Sequence, residues 1–162
     1  MTVQSQLDLA KLRQYPIFED LTEDELKVFL ADTQLARYDL ENWKVLAQGD
    51  PGAGLGIILA GKVKIYRVDP TNREHFLTVL KEGDFFGEMA LFSTSTRSAN
   101  VQALEPTVVL WLKAEDFKRF VSSHSPMISK ILARMVADLS KRLRLLDERY
   151  VFMKSYHEAR AA

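Results

Sequence analysis

From residue 36 to residue 113 the chain is cut every few residues by turn-forming sequences, and this spacing constrains the fold more than any other feature. Gly49-Asp50-Pro51-Gly52, Gly61, Asp69-Pro70-Thr71-Asn72 and Glu82-Gly83-Asp84 each favour a tight reversal. Between them, polar and apolar residues alternate. Val63, Ile65 and Arg67 fall on one face of an extended segment, and Lys62, Lys64 and Tyr66 on the other. Short strands joined by tight turns close into an antiparallel barrel or jelly roll. No strand–helix–strand alternation occurs here, which argues against a doubly wound parallel sheet.

The flanks read differently. Residues 1–33 are expected to be helical. Thr22 followed by Glu25 is a capping-box pattern, in which hydroxyl and carboxylate satisfy free N–H groups of a first turn. Leu26, Phe29 and Leu30 follow at helical spacing. Pro16 ends any helix running through Arg13, and Ile17 and Phe18 are expected to tuck under the body. A short helix is expected over 115–122, then a Ser/His/Pro break, then a long helix from about Pro126. Leu132, Val136, Leu139, Leu143, Leu146, Tyr150 and Met153 are spaced alternately by four and three, a heptad seam. The seam predicts a parallel homodimer through its distal half, while the proximal half can also pack on the chain's own barrel. That register would bring Arg142 near Asp147 of the partner. The expected fold is thus α+β: an antiparallel, jelly-roll-like β-roll flanked by N-terminal helices and a long C-terminal helix. The division falls between residues 1–125 and residues 126–162.

Composition narrows the functions. The 162 residues suit one domain of the usual ~100–200. There is no cysteine, so disulfides, thiolate metal sites and a cysteine nucleophile are excluded. Lys+Arg and Asp+Glu are 22 each, whereas a protein holding duplex nucleic acid by its overall field is usually basic. From Pro126 onward eight basic residues meet four acidic ones, the ordinary balance of a solvated helix. No apolar run approaches the ~18–20 residues of a membrane span, and the first residues carry no secretory pattern, so a soluble, cytoplasmic chain is expected. His75, His124 and His157 are scattered, with no pair at metal-ligand spacing, and no nucleophile elbow occurs. The expectation is no enzyme, no catalytic residue, no metal and no cofactor.

One segment carries chemistry: Phe85-Phe86-Gly87-Glu88-Met89-Ala90-Leu91, then Arg97-Ser98-Ala99. Gly87 lets backbone pass close to a ligand. Glu88-Met89-Ala90 can open a short helix with outward N–H groups, which suit an anion. Arg97 supplies a permanently charged planar fork for phosphate. Ser98 adds a hydroxyl and Ala99 a backbone N–H. A carboxylate at Glu88 beside phosphate makes sense as the acceptor of a sugar hydroxyl, and phosphate with a ribose hydroxyl is a nucleotide. Taken singly, each residue has a plainer reading: Glu88 in a helix first turn, Arg97 on a surface strand, Gly87 in a turn.

Taken together, Phe86-Gly87-Glu88-Met89-Ala90-Leu91 and Arg97-Ser98-Ala99 resemble the phosphate-binding cassette of cyclic-nucleotide-binding domains. That family includes the sensor domain of the bacterial catabolite activator and the regulatory subunits of protein kinase A. Its pattern is Phe-Gly-Glu-x-Ala-Leu, a short loop, then Arg-(Ser/Thr/Ala)-Ala, and every fixed position is filled. The resemblance extends over Pro16-Ile17-Phe18, Gly49-Asp50 and Ile57-Ile58-Leu59-Ala60-Gly61-Lys62-Val63. It implies that Arg97 pairs with the cyclic phosphate and that Glu88 accepts the ribose 2′-hydroxyl. It implies ligand contacts from Gly87, Met89, Ala90, Ser98 and Ala99, with Ile65 and Leu77 lining the apolar wall. It implies that the helix from residue 126 is both lid and dimer element, with candidate base contacts near residues 143–149.

The resemblance to bacterial members with Arg-Ser-Ala implies cyclic AMP, with cyclic GMP the alternative if Ser98 reaches a guanine amino group. In the catabolite activator a DNA-reading domain follows the long helix. Here the sequence runs only to Ala162, so the expectation is a stand-alone sensor that signals to an unidentified effector protein and binds no DNA alone. The rival is a scaffold of the same fold that dimerises without nucleotide.

Overall fold

The computed structural model describes residues 7–39, 41–93, 96–123 and 125–161. In chain order the elements are α1 (Leu9–Leu12), α2 (Glu23–Ala31), β1 (Thr33–Tyr38), β2 (Lys44–Leu46), β3 (Gly54–Ala60), β4 (Lys62–Val68), β5 (Glu74–Lys81) and β6 (Phe85–Phe86). Then come α3 (Met89–Phe92), β7 (Asn100–Ala103), β8 (Thr107–Lys113), α4 (Ala114–Ser123) and α5 (Ser125–Ala161). His124, Thr94 and Ser95 lie outside the described residues, as does the side chain of His157.

The strands form two four-stranded sheets, ordered β1-β8-β3-β6 and β2-β7-β4-β5, with antiparallel pairing throughout. This is the expected β-roll. Strand β3 explains how the layers join. Its Leu55-Gly56-Ile57-Ile58-Leu59 is apolar on both faces and buried along its length. Leu55, Ile57 and Leu59 belong to a core shared with the helices: Phe18, Phe29, Phe120, Ile131 and others. Ile58 belongs to a second core inside the roll, with Val63, Leu80, Phe86, Val101 and Val109. Gly56 is required on the inner face, since a Cβ there would lie 2.7 Å from the Phe86 ring.

The N-terminal helices match expectation in chemistry. Thr22 Oγ1 accepts from the Glu25 N–H at 3.2 Å, and Glu25 Oε2 accepts from the Thr22 N–H at 2.8 Å. Ile17 and Phe18 are buried. Helix ends two residues short of residue 33: Thr33 already starts β1 and pairs with Leu112, while its hydroxyl donates to the Leu30 carbonyl. In β4, Val63 and Ile65 face the inner core as expected. Tyr66, on the opposite face, is nevertheless buried, with the Lys64 ammonium 4.3 Å from its ring centroid. Ile65 pairs with Thr78 and Tyr66 with Phe76, so Leu77 is the extra residue of a β-bulge.

Helix α5 divides. Met127, Ile128, Ile131 and Met135 are buried in the shared core, and Leu132 and Leu139 pack against it. Beyond residue 140 the heptad positions Leu143, Leu146, Tyr150 and Met153 are exposed, as is Val136 before it. Within its own chain the Arg142 guanidinium bonds Asp138 and the Phe85 carbonyl.

Candidate functional site

Between the β2-β7-β4-β5 sheet and α5 lies a cavity of about 430 Å³, within the ~300–1,000 Å³ of small-molecule sites. Gly87, Glu88, Arg97, Ser98 and Ala99 form one side of it. Ile65, Leu77, Leu80, Phe86 and Val101 form an apolar wall, with Leu46 and Thr78. Arg142, Leu145, Leu146 and Arg149 of α5 close it. The bulge at Leu77 lies in this wall, and Arg149 donates to the Leu77 carbonyl at 3.3 Å.

Arg97 is the centre of the polar side. It is 7% exposed. One guanidinium nitrogen, Nη1, donates to the Gly54 carbonyl at 2.9 Å and to the Gly87 carbonyl at 3.1 Å. Its buried Nε has no hydrogen-bond partner among the described residues. Burial pushes its pKa down from the ordinary value, and the Glu88 and Asp50 carboxylates oppose that shift. A guanidinium stays charged under such a shift. A buried cation with an unsatisfied donor fits an anion better than it fits solvent.

Gly87 makes this geometry possible in two ways. Its φ of +77° is the left-handed region. A Cβ on it would also lie 2.6 Å from Arg97 Nη1 and 3.0 Å from the Gly54 carbonyl oxygen. Glu88 is the N-cap of the one-turn helix α3 and makes no side-chain cap bond. Glu88 lines the cavity, and its carboxylate is not used in capping.

The sequence-named residues separate into two groups. Gly87, Glu88, Arg97, Ser98, Ala99, Ile65 and Leu77 come together around the main cavity. Met89 and Ala90 instead line a small adjoining hollow of about 60 Å³, which also touches Gly87, Glu88, Arg97 and Ser98. The Ala90 N–H turns back to the Gly87 carbonyl at 3.2 Å. Met89 Sδ accepts from the Ser98 hydroxyl at 3.7 Å. Sequence reasoning did not single out Phe86, Leu80 and Val101 as walls. The signal for Leu80 and Val101 was the inward phase of their strands; Phe86 lies in a two-residue strand buried at both positions and shows no alternation. Arg142 and Arg149 were also missed as individual residues. Their only signal is helical spacing, since 142, 145, 146 and 149 share one face.

Among the described residues no group of three or more His, Asp or Glu side chains is placed to hold a metal ion. His75 instead bonds Asp69 at 2.7 Å in the β4–β5 turn. No described helix is long and apolar enough to cross a membrane.

Comparison with known proteins agrees with this geometry. Residues 42–124 match the family model described as the cyclic nucleotide-binding domain. The chain is 32% identical over 145 residues to the cyclic AMP receptor protein of Thermus thermophilus, covering 90% of this chain and 64% of that one. It is 30% identical over 132 residues to human cGMP-dependent protein kinase 2, covering 80% of this chain and 17% of the kinase. The chain thus spans less than two thirds of the length of these relatives. Among solved structures, the catabolite activator protein of T. thermophilus superposes with a TM-score of 0.73 at 29% identity, over 86% of this chain and 63% of that one.

Proposed function

Because the chain belongs to the cyclic nucleotide-binding domain family, we propose that it is a regulatory sensor whose cavity binds cyclic AMP. The single observation that carries this reading is Arg97: a guanidinium 7% exposed, held by two carbonyls, with Nε unsatisfied, on the wall of an apolar cavity. In the proposed complex Arg97 pairs with the cyclic phosphate and Glu88 accepts the ribose 2′-hydroxyl. Ser98 and the Gly87 and Ala99 backbone complete the anion shell. Ile65, Leu77 and Val101 take the sugar and base, and α5 covers them. Cyclic AMP is favoured by the Arg97-Ser98-Ala99 sequence and by the relative named for that ligand. Cyclic GMP is the second reading, supported by the relative named for it and by the Ser98 hydroxyl at the cavity.

The proposed mechanism is population shift. A ligand moves α5 only by its differential affinity for two helix positions, and a tenfold preference is worth ~1.4 kcal/mol. The output is a changed helix surface, presented by a cytoplasmic homodimer to an effector protein. The proposal includes no turnover and no cofactor: cyclic AMP incubated with the protein and Mg²⁺ should be recovered intact.

Calorimetric titration with cyclic AMP, cyclic GMP and a cyclic dinucleotide tests the reading. The expected result is saturable binding of cyclic AMP that Arg97→Ala weakens by ~2–5 kcal/mol, the cost of unpairing a buried charge pair. Binding unchanged in Arg97→Ala overturns the site. Absence of binding by all three nucleotides in the wild-type chain favours the scaffold.

A further inference from the structure

The segment that carries Arg97 and Ser98 is held by a second, shorter segment running beside it. The Arg97 N–H donates to the Asp50 carbonyl at 2.7 Å, and the Gly49 N–H donates to the Arg97 carbonyl at 2.9 Å. Pro51 and Thr96 form an isolated antiparallel bridge. Residues 48–51 therefore act as a splint for residues 96–100. A pairing this short is marginal by itself in water and needs an anchor in a larger sheet.

The anchor is Gln48. Its side-chain Nε2 donates to the Val68 carbonyl at 3.1 Å, and its Oε1 accepts from the Val68 N–H at 2.8 Å. The two bonds fix the amide orientation, because the opposite one would set donor against donor. The side chain thus occupies both backbone groups at the end of β4 as a neighbouring strand residue would. Gln48 also donates its own N–H to Asn100 Oδ1 at 3.0 Å, two residues after Ser98. The clasp joins three elements: the turn after β2, the end of β4 and the start of β7. None of its members belongs to either hydrophobic core, so its effect is local.

We infer that Gln48 is a positioning residue for the anion-binding segment, acting through Val68 and Asn100 to set where the Arg97–Ala99 backbone meets a phosphate. The inference rests on the cyclic-nucleotide reading of the cavity. The two carbonyls of Gly54 and Gly87 hold the Arg97 guanidinium. Among the described residues the peptide groups of Ser98 and Ala99 have no such clamp and depend on the splint. Without Gln48 the guanidinium remains in place while the backbone beside it loosens, and the shell loses its fixed geometry around the two exocyclic phosphate oxygens.

The test uses full-length Gln48→Ala and Gln48→Glu. In ligand-free Gln48→Ala, amide exchange at Gly49 and Arg97 should rise tenfold or more, with Ile58 and Leu110 unchanged. Cyclic AMP affinity should fall about tenfold. The preference between the two diastereomers of cyclic AMP phosphorothioate should fall towards one, a change that a uniform loss of stability does not produce. Gln48→Glu keeps an acceptor for the Val68 N–H but sets a carboxylate oxygen against the Val68 carbonyl, so it should raise exchange and lower affinity at least as much as Gln48→Ala. Unchanged exchange at Gly49 and Arg97 overturns the inference, and so does weaker binding with the diastereomer preference intact. A wild-type chain that binds no cyclic nucleotide overturns the cavity reading and the inference together. A wild-type chain that binds beside a Gln48→Ala chain that binds equally well overturns the inference alone.

Discussion

The two halves of α5 share one seven-residue repeat and have opposite surroundings. Before residue 140, Ile128, Ile131 and Met135 are buried against the roll and the N-terminal helices. Ion pairs flank that contact: Lys130 with Glu25, and Arg134 with Asp20 and Glu19. After residue 140, Leu143, Leu146, Tyr150 and Phe152 are exposed. There the helix touches the roll through the Arg142 contacts with Phe85 and the Arg149 bond to the Leu77 carbonyl. The first half is part of the fold. The second half lies over the cavity on a few polar contacts, as a cover that responds to a ligand requires.

Core substitution should separate the halves most strongly. Ile131→Ala removes a fully buried side chain and should cost ~2–5 kcal/mol in denaturant unfolding. Leu143→Ala, on the exposed half, should change monomer stability by less than ~0.5 kcal/mol. Similar losses at both sites would erase the distinction.

The dimer comes next. The proposed seam uses the distal half, because Leu132 and Leu139 are engaged with the chain's own core. Leu143→Lys with Tyr150→Lys should weaken self-association a hundredfold or more, about 2.7 kcal/mol, and convert a wild-type dimer to monomer in light scattering. A wild-type chain that is monomeric at high micromolar concentration removes the second copy as the partner of this half.

Removing residues 141–162 should leave thermal unfolding nearly unchanged and weaken cyclic AMP about tenfold, ~1.4 kcal/mol. The cavity then loses Arg142, Leu145, Leu146 and Arg149 while Arg97 stays. Undiminished affinity would show that the distal half covers nothing.

The smallest effect is on acidification. The Arg134 hydrogen bond holds the Asp20 carboxyl below its ordinary value, and the Lys130 hydrogen bond does the same for Glu25. A carboxyl depressed in the folded state stabilises it above the ordinary carboxylate range, and that contribution is lost as pH falls through the depressed value. Both groups are near the surface, so screening keeps the effect small. Amide protection in the first turns of α5 should fall slightly on acidification below that range, and Asp20→Asn should reduce the slope. Protection that rises on acidification contradicts these pairings.

Local chemistry was legible in the sequence where one residue type has one use. Thr22 and Glu25 gave a capping box, and the Gly87-Glu88 and Arg97-Ser98-Ala99 segments come together at one cavity. Periodicity was legible only as far as a face. The heptads marked a stripe on α5 but not what it packs against, because Leu132 on the core and Leu146 over the cavity are the same residue at the same repeat position. Tyr66 escaped for a related reason: alternation sets its face but not whether that face is covered. Gln48 carries no motif of its own, and its role depends on Val68, twenty residues away across the sheet.

Amide exchange along α5, with and without saturating cyclic AMP, tests most directly whether the cavity is a nucleotide site closed by the distal half of this helix. The account predicts higher protection across residues 141–153 on binding, with residues 128–139 already protected and unchanged. Identical protection of residues 141–153 in the two states, with the nucleotide shown to be bound, would contradict it.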